Sequence, residues 1–151
     1  MISEPLDDGL VSRRMRVLES VLPRADRVTL ADARFIIAGG RGLRGPEGFR
    51  LLHDLAGLVD GAVSASRAAV DAGWVDYTYQ VGQTGQTVQP RVYLACGISG
   101  QVQHLVGMQS SDIIISVNID RDAPMMKLAD YAIVGDLFEV LPAFIRKITQ
   151  A

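Results

Sequence analysis

Five short apolar runs, each followed by glycine or small polar residues, limit the folds open to this chain more than any other feature. They lie at residues 34–38, 62–64, 92–96, 112–117 and 131–134. Apolar residues at helical spacing separate most of them. Strands that are continuously apolar and alternate with helices are typical of a parallel sheet covered on both faces. The sequence therefore predicts an α/β fold: a three-layer, Rossmann-like domain with a parallel sheet and helices on both faces.

The helices that this pattern predicts lie at residues 49–59, 66–73, 99–106 and 137–148. Ser66 is suited to cap the second of them, because its hydroxyl accepts a hydrogen bond from a free N–H of the first turn, and Gly73 ends it. Pro142 stands inside the last helix, which predicts a kink or a later start. The segment between the last two strands is predicted as a loop containing Pro124.

Residues 1–30 are predicted to stand apart from the folded domain. Apolar residues recur at helical spacing between Val11 and Leu22, with arginines among them, and Pro23 ends the pattern. This predicts a short amphipathic helix that either packs on the domain edge or ends a linker from an upstream domain. We therefore expect residues 1–30 to be a tail and linker helix. Residues 31–151 then form one cofactor-binding domain, long enough for a single core.

The charge and residue totals exclude several functional classes. A net charge of -2 gives no electrostatic basis for binding nucleic acid or an anionic membrane. No apolar run approaches the roughly 20 residues of a membrane span, and the acidic start is unlike a signal peptide. A single cysteine, Cys96, excludes an internal disulfide, and two histidines are too few for a metal cluster. We expect a protein of the bacterial cytoplasm or the mitochondrial matrix.

Glycine and polar residues follow the predicted strands, and the carboxyl ends of parallel strands meet at the edge where ligands bind. The third strand ends in Gly97, Ile98, Ser99 and Gly100 and leads into a helix. Such a turn points free N–H groups and the positive helix end at a phosphate. A second glycine turn, residues 81–85, carries amide and hydroxyl groups that suit the polar body of a ligand. The sequence therefore predicts a nucleotide-cofactor site, with a plain strand-to-helix turn as the alternative.

One further glycine pattern, Gly40-x-Gly42-x-x-Gly45, matches the dinucleotide fingerprint. That fingerprint requires an acidic residue at the end of the second strand, about 20 residues later. The second strand here ends in Ser66 and Arg67. An ordinary NAD-binding role is therefore disfavoured.

Three single residues each have a structural and a functional interpretation. A lone histidine in an apolar helix, such as His104, is more often a hydrogen-bonded core residue than a catalytic one. Arg67 stands near the positive end of a helix, which indicates a bound anion unless the side chain faces solvent. Cys96 lies within a strand and is expected to be a small buried apolar residue. No arrangement typical of nucleophilic catalysis is evident, so no catalytic residue is predicted.

Six segments carry a family resemblance. They are GGRGL (39–43), SASRAAVDAGW (64–74), QVGQTG (80–85), GISGQVQH (97–104), VNID (117–120) and ADYAIVGDLF (129–138). Together they resemble the FAD-binding domain of the electron-transfer flavoprotein alpha subunit, in the family's order and spacing from about residue 31 onward. The family's N-terminal domain is not matched, so the chain is either an excised domain or a natural short form. The resemblance implies the DHS-like type of Rossmann-like nucleotide-binding fold, with FAD as cofactor.

The resemblance also implies which residues contact FAD. Arg41 would lie beside the isoalloxazine ring, and Arg67 would lie against it, where a cation favours the negative charge of the reduced ring. Thr84 would hydrogen-bond flavin N5, with Gln83 nearby, and His104 would address the C2 carbonyl oxygen. The other implied contacts are Ser66, Gln80, Val81, Gly82 and Gly85 along the flavin and ribityl chain; Gly97, Ile98, Ser99 and Gly100 at the pyrophosphate; Asn118, Asp120, Asp136 and Leu137 at the adenosine end; and Gln103.

An electron carrier, and not an enzyme with its own substrate, is the function that the resemblance implies. Such a protein pairs with a beta subunit and accepts electrons from dehydrogenases such as acyl-CoA dehydrogenases. It passes them to a quinone oxidoreductase. The alternative is a nucleotide-binding module, for AMP or FAD, with a structural or regulatory role and no electron transfer. Redox activity of the bound cofactor distinguishes the two.

Overall fold

Five parallel strands form one sheet in the computed structural model, which describes residues 28–150. The strands are β1 (Phe35–Gly39), β2 (Ala62–Ala65), β3 (Val92–Cys96), β4 (Ile113–Asn118) and β5 (Tyr131–Val134). Their order across the sheet is β2-β1-β3-β4-β5, and every neighbouring pair is parallel. The predicted strands and the three-layer parallel fold are thus confirmed.

Helices cover both faces of this sheet. They are α1 (Phe49–Val59), α2 (Arg67–Asp71), α3 (Val102–Met108), α4 (Pro124–Leu128) and α5 (Leu137–Gln150). Short 3₁₀ turns at Arg41–Leu43, Pro46–Gly48 and Tyr77–Tyr79 lie in the connections. Buried side chains of α1, α2 and α5 join the core on one face, and those of α3 and α4 join the core on the other.

The central strand β3 shows why an inner strand of this sheet is apolar throughout. Leu94 and Cys96 lie in the core on the α1 and α5 side, and Tyr93 and Ala95 lie in the core beneath α3 and α4. Successive side chains of a strand point to opposite faces, so a strand buried on both sides has no solvent-facing position. Burial also raises the pKa of the Cys96 thiol. The prediction that Cys96 is a buried apolar residue is confirmed.

Two helices differ from the sequence prediction. Helix α3 begins at Val102 and not at residue 99. Gly97 and Gly100 have φ angles of +67° and +91°, in a region that a right-handed helix excludes, so the turn between them cannot be helical. Helix α4 occupies part of the segment predicted as a loop. Pro124 stands in its first turn, where a missing N–H costs nothing, and Met125 is fully buried.

Helix α5 contains Pro142 in its interior and continues to Gln150. The helix predicted between Val11 and Leu22 lies outside the described residues. Within residues 28–150, no helix is long and apolar enough to cross a membrane.

Candidate functional site

The candidate site lies at the carboxyl edge of the sheet, between β1 and β3. From β1 the chain passes to β2 on one side, and from β3 it passes to β4 on the other, which is the arrangement at which parallel sheets bind ligands. The two loops touch through their backbones: Gly40 N–H donates to the Cys96 carbonyl at 3.0 Å, and Gly42 N–H donates to the Gly97 carbonyl at 3.1 Å. A Cβ on Gly42 would lie 2.7 Å from Gly97 Cα, so the contact requires glycine.

The turn after β3 forms a backbone cradle, defined here as Gly97–Gly100. The N–H groups of Ile98, Ser99 and Gly100 have no acceptor within the described part of the chain. The Ser99 carbonyl accepts from the Met125 N–H at 2.9 Å, which anchors the cradle to α4. Consecutive free N–H groups form a concavity that binds anions. The cradle therefore suits the oxygens of a phosphate or pyrophosphate.

The first glycine loop does not have the geometry of a dinucleotide fingerprint. A 3₁₀ turn at Arg41–Leu43 and another at Pro46–Gly48 lie between β1 and the start of α1 at Phe49. Helix α1 therefore does not begin at Gly45, and its N-terminus is not presented by the glycines as the fingerprint requires. The geometry agrees with the sequence argument against an NAD-binding role.

The loop at residues 80–85 follows the Tyr77–Tyr79 turn, and backbone hydrogen bonds attach it to the end of β2 and to α3. Val81 N–H donates to the Ala65 carbonyl at 3.0 Å, and Gln83 N–H donates to the Gln103 carbonyl at 2.8 Å. Gly82 lies directly against α3, because a Cβ on Gly107 would lie 2.4 Å from Gly82 N. The loop is thus held at both ends, while the side chain of Gln83 remains exposed.

Thr84 is held by two hydrogen bonds within the same segment. The buried side-chain amide of Gln80 donates to Thr84 Oγ1 at 2.8 Å. The Tyr77 hydroxyl donates to the Thr84 carbonyl. Because Oγ1 accepts from Gln80, the hydroxyl proton of Thr84 is free to be donated to a ligand. An acceptor nitrogen such as flavin N5 would suit that donor.

His104 is buried, with 7% of its surface exposed, and its Nε2 lies 2.9 Å from the Tyr93 hydroxyl. Its Nδ1 makes no hydrogen bond to any described residue. Burial lowers the pKa of His104 to about 4, against an opposite and smaller effect of the Val81 carbonyl. The imidazole is therefore neutral at pH 7. The structural interpretation, a hydrogen-bonded core histidine, is confirmed for Nε2, and contact with a cofactor stays a prediction for Nδ1.

Ser66 and Arg67, the two residues that follow β2, each interact with another residue of the adjoining helix α2. Ser66 caps α2 as predicted: its Oγ accepts from the Ala69 N–H at 3.4 Å. The Arg67 Nε lies 3.3 Å from Asp71 Oδ2, and both side chains are about two-thirds exposed, at 65% and 64%. This ion pair explains a cation at the start of α2 without a bound anion. Arg41 is exposed, and its side chain makes no hydrogen bond or ion pair within residues 28–150.

The residues predicted at the adenosine end organise the loops after β4 and β5. Asn118 donates from Nδ2 to the Ile98 carbonyl at 3.3 Å, and its Oδ1 accepts from the Asp120 N–H at 3.0 Å. Asp136 Oδ1 accepts from the Phe138 N–H at 2.9 Å and so caps α5. The Leu137 side chain is buried beneath the cradle and can face a ligand only through its backbone.

Three contacts at this site were not predicted from the sequence: Tyr93 on His104, Tyr77 on Thr84, and Met125 on the cradle. A tyrosine inside an apolar strand could have indicated the first, since a buried phenol usually has a hydrogen-bond partner. Pro124 could have indicated the helix that places Met125. Among the residues that the structure describes, no three His, Cys, Asp or Glu side chains lie close enough to hold a metal ion.

Comparison with known proteins gives one family. A model of the electron transfer flavoprotein FAD-binding domain matches residues 29–109. The chain is 54% identical over 132 residues to Protein FixB of Clostridium saccharobutylicum, covering 87% of this chain and 40% of that protein. It is 48% identical over 147 residues to electron transfer flavoprotein subunit alpha of Bacillus subtilis, covering 97% and 45%. It is 50% identical over 144 residues to the mitochondrial electron transfer flavoprotein subunit alpha of Arabidopsis thaliana, covering 95% and 39%.

The chain spans less than half the length of each of these curated relatives.

Proposed function

The chain belongs to the family of the electron transfer flavoprotein alpha subunit, and from this premise we propose that residues 31–151 bind one FAD and carry electrons with it. A beta subunit completes the carrier, with dehydrogenases such as acyl-CoA dehydrogenases as donors and a quinone oxidoreductase as acceptor. The bacterial cytoplasm or the mitochondrial matrix is the expected compartment. The domain has no substrate of its own in this proposal.

The observation that carries the proposal is the cradle at Gly97–Gly100. Its free N–H groups of Ile98, Ser99 and Gly100 offer three donors at the switch point of the sheet. A Cβ on Gly100 would lie 2.5 Å from Met125 N, so no larger residue fits without movement of α4. Asn118 borders the cradle through its hydrogen bond to the Ile98 carbonyl. The donors and the glycine contacts therefore fit FAD.

The flavin end of the site is supplied by two donors. Thr84 offers a hydroxyl proton because Gln80 already donates to its oxygen, and His104 offers Nδ1. Oxidised flavin presents acceptors at N5 and at the C2 carbonyl oxygen, so both donors would be matched. Bound FAD supplies electron transfer, and the residues of this chain orient it and set its electrostatic surroundings.

Arg67 contributes less than its charge alone indicates. It forms an exposed ion pair with Asp71, whose carboxylate offsets part of that charge. An interaction between exposed charges is screened by solvent and is typically worth 0.2–1 kcal/mol. In this proposal Arg67 therefore favours the reduced cofactor only when the partner subunit or the ring itself excludes water from the site.

The test is a titration of the purified chain with FAD, followed by absorption spectra and stepwise reduction. FAD binding at micromolar concentration with a reduction potential different from that of free FAD supports the electron carrier. Parallel titrations with AMP and NAD provide the comparison. FAD that binds with an unshifted potential, or AMP that binds as tightly as FAD, would instead favour a nucleotide-binding module without electron transfer.

The cradle supplies a matched pair of variants for this titration. Gly100→Ala inserts a Cβ into the Met125 backbone at a φ of +91°, whereas Gly57→Ala adds a methyl group with nothing within 4 Å. Loss of FAD binding in the first and retention in the second is expected. Equal FAD affinity in both variants, with both folded, would remove the cradle as the pyrophosphate seat.

A further inference from the structure

We propose that Tyr93 is a positioning residue for the flavin end of the site. Its hydroxyl donates to His104 Nε2 and thereby selects the imidazole tautomer that carries its proton on Nδ1. The identity of the group that Nδ1 faces rests on the proposed function. The pairing of the two side chains is a feature of this chain and does not depend on that function.

The two side chains come from different elements and meet in the core beneath α3 and α4. Tyr93 lies on β3 and is fully buried, and His104 lies on α3 and is nearly so. The phenol oxygen and Nε2 are 2.9 Å apart, and the two ring planes are inclined at 58°. A hydrogen bond of this length has a single donor. Which group donates decides where the imidazole proton lies.

Burial fixes how many protons the pair holds. It lowers the pKa of His104 to about 4, and it raises the pKa of the Tyr93 phenol. At neutral pH the imidazole therefore holds one proton and the phenol keeps its own. A neutral imidazole is a donor at one nitrogen and an acceptor at the other. Two arrangements remain, with the shared proton on the phenol or on Nε2.

The relative acidities of the two groups select the phenol as donor. A phenol O–H is a stronger acid than a neutral imidazole N–H, and an unprotonated imidazole nitrogen is a stronger acceptor than a phenol oxygen. The phenol therefore donates to Nε2 across the 2.9 Å contact. The imidazole proton is then on Nδ1.

This tautomer determines what His104 can recognise. Nδ1 is buried and forms no hydrogen bond within the described residues, so a proton there lacks an acceptor, which a ligand such as a ring carbonyl oxygen would supply. The other tautomer would present a lone pair to that oxygen and would repel it. Tyr93 therefore acts through His104, without contact to the cofactor, on the affinity of the site for a carbonyl-bearing ring.

The first test uses the 151-residue chain, without FAD, carrying ¹⁵N in its two histidines. Long-range ¹H–¹⁵N spectra of the imidazole rings distinguish Nδ1–H from Nε2–H, and exposed His53 supplies the reference ring. We expect the Nδ1–H tautomer at His104 at pH 7. Tyr93→Phe should reduce its preference about fivefold, the factor that corresponds to one net hydrogen bond of about 1 kcal/mol.

Tyr131→Phe is the matched control, because it removes the hydroxyl of an exposed tyrosine on β5. It should leave the His104 spectrum unchanged. A wild-type His104 with its proton on Nε2 overturns the proposal without any variant, so the test remains decisive if Tyr93→Phe does not fold.

The second test separates the pairing from the proposed function by titration with FAD. We expect Tyr93→Phe to bind FAD about fivefold more weakly than the wild type, by the same conversion. In a His104→Asn background, whose side-chain amide offers a donor near the position of Nδ1, Tyr93→Phe should cause no further loss. Equal losses in both backgrounds overturn the positioning role. If the wild type does not bind FAD but His104 holds the Nδ1–H tautomer, the proposed function fails and the pairing stands.

Discussion

The buried neutral state of His104 predicts a specific dependence of stability on pH. Burial lowers its pKa in the folded chain to about 4 from the ordinary value of 6.5. Between these two values the unfolded chain binds a proton at this residue and the folded chain does not. Stability is therefore unaffected above pH 6.5, falls as the pH decreases through this window, and stops falling from this cause near pH 4. The two values differ by about 2.5 units, which corresponds to about 3 kcal/mol.

A loss of this size is a large fraction of the 5–15 kcal/mol by which most domains are stable. The assay is urea unfolding at intervals between pH 7.5 and 4, followed by the fluorescence of Trp74, the single tryptophan, and by circular dichroism. His104→Asn removes the titrating group. Relative to wild type, it should reduce the loss of unfolding free energy across the window by about 3 kcal/mol.

His53→Asn is the matched control, because it replaces the other histidine, which is exposed on α1. It should leave the fall in place. Carboxylates that titrate in the same range contribute equally to wild type and both variants, so only the difference between variants is interpreted. Parallel pH profiles for wild type and His104→Asn would refute the reasoning that His104 is buried without its proton.

Three further perturbations test other parts of the site. Gly100→Ala, at a φ of +91°, should lower the free energy of unfolding by about 1–3 kcal/mol. Gly57→Ala, in the open middle of α1, should raise the free energy of unfolding by about 0.5–1 kcal/mol. Thermal unfolding measures both effects. Gln80→Leu removes the donor that orients the neighbouring threonine hydroxyl, so FAD should bind about fivefold more weakly. The 5-deaza analogue of FAD lacks the N5 acceptor, so its affinity should fall less. Equal losses of affinity for the two ligands count against this orientation. Arg67→Gln and Asp71→Asn each break an exposed ion pair and should change stability by less than about 1 kcal/mol. Only Arg67→Gln should lower the reduction potential of bound FAD, and an equal shift from Asp71→Asn would remove that role.

Strands β1, β2 and β3 were predictable from the sequence because each is buried on both faces. A strand such as β3, with Leu94 on one side and Tyr93 on the other, has no solvent-facing position and so forms an unbroken apolar run. Helix starts were less predictable. The start of α3 depends on the left-handed backbone at Gly100, which the sequence presents only as one glycine among 15. Helix α4 has five residues, too few to show an apolar period, and its one local signal is Pro124 in the first turn.

The candidate site divides by the range of its interactions. The position of the cradle follows from glycine spacing and from the end of the apolar run that forms β3, and both are visible in the sequence, although the left-handed backbone of the turn is not. Side-chain pairings between elements are not, since Tyr93 and His104 meet only through the packing of α3 on β3. Arg67 shows the same distinction. Its position at a helix start was visible in the sequence, and the structure shows that its charge is paired with Asp71, one helical turn away. Residues that act through the backbone can thus be identified from the chain alone. For residues that act through a partner on another element, the fold decides both the partner and the direction in which the proton is donated.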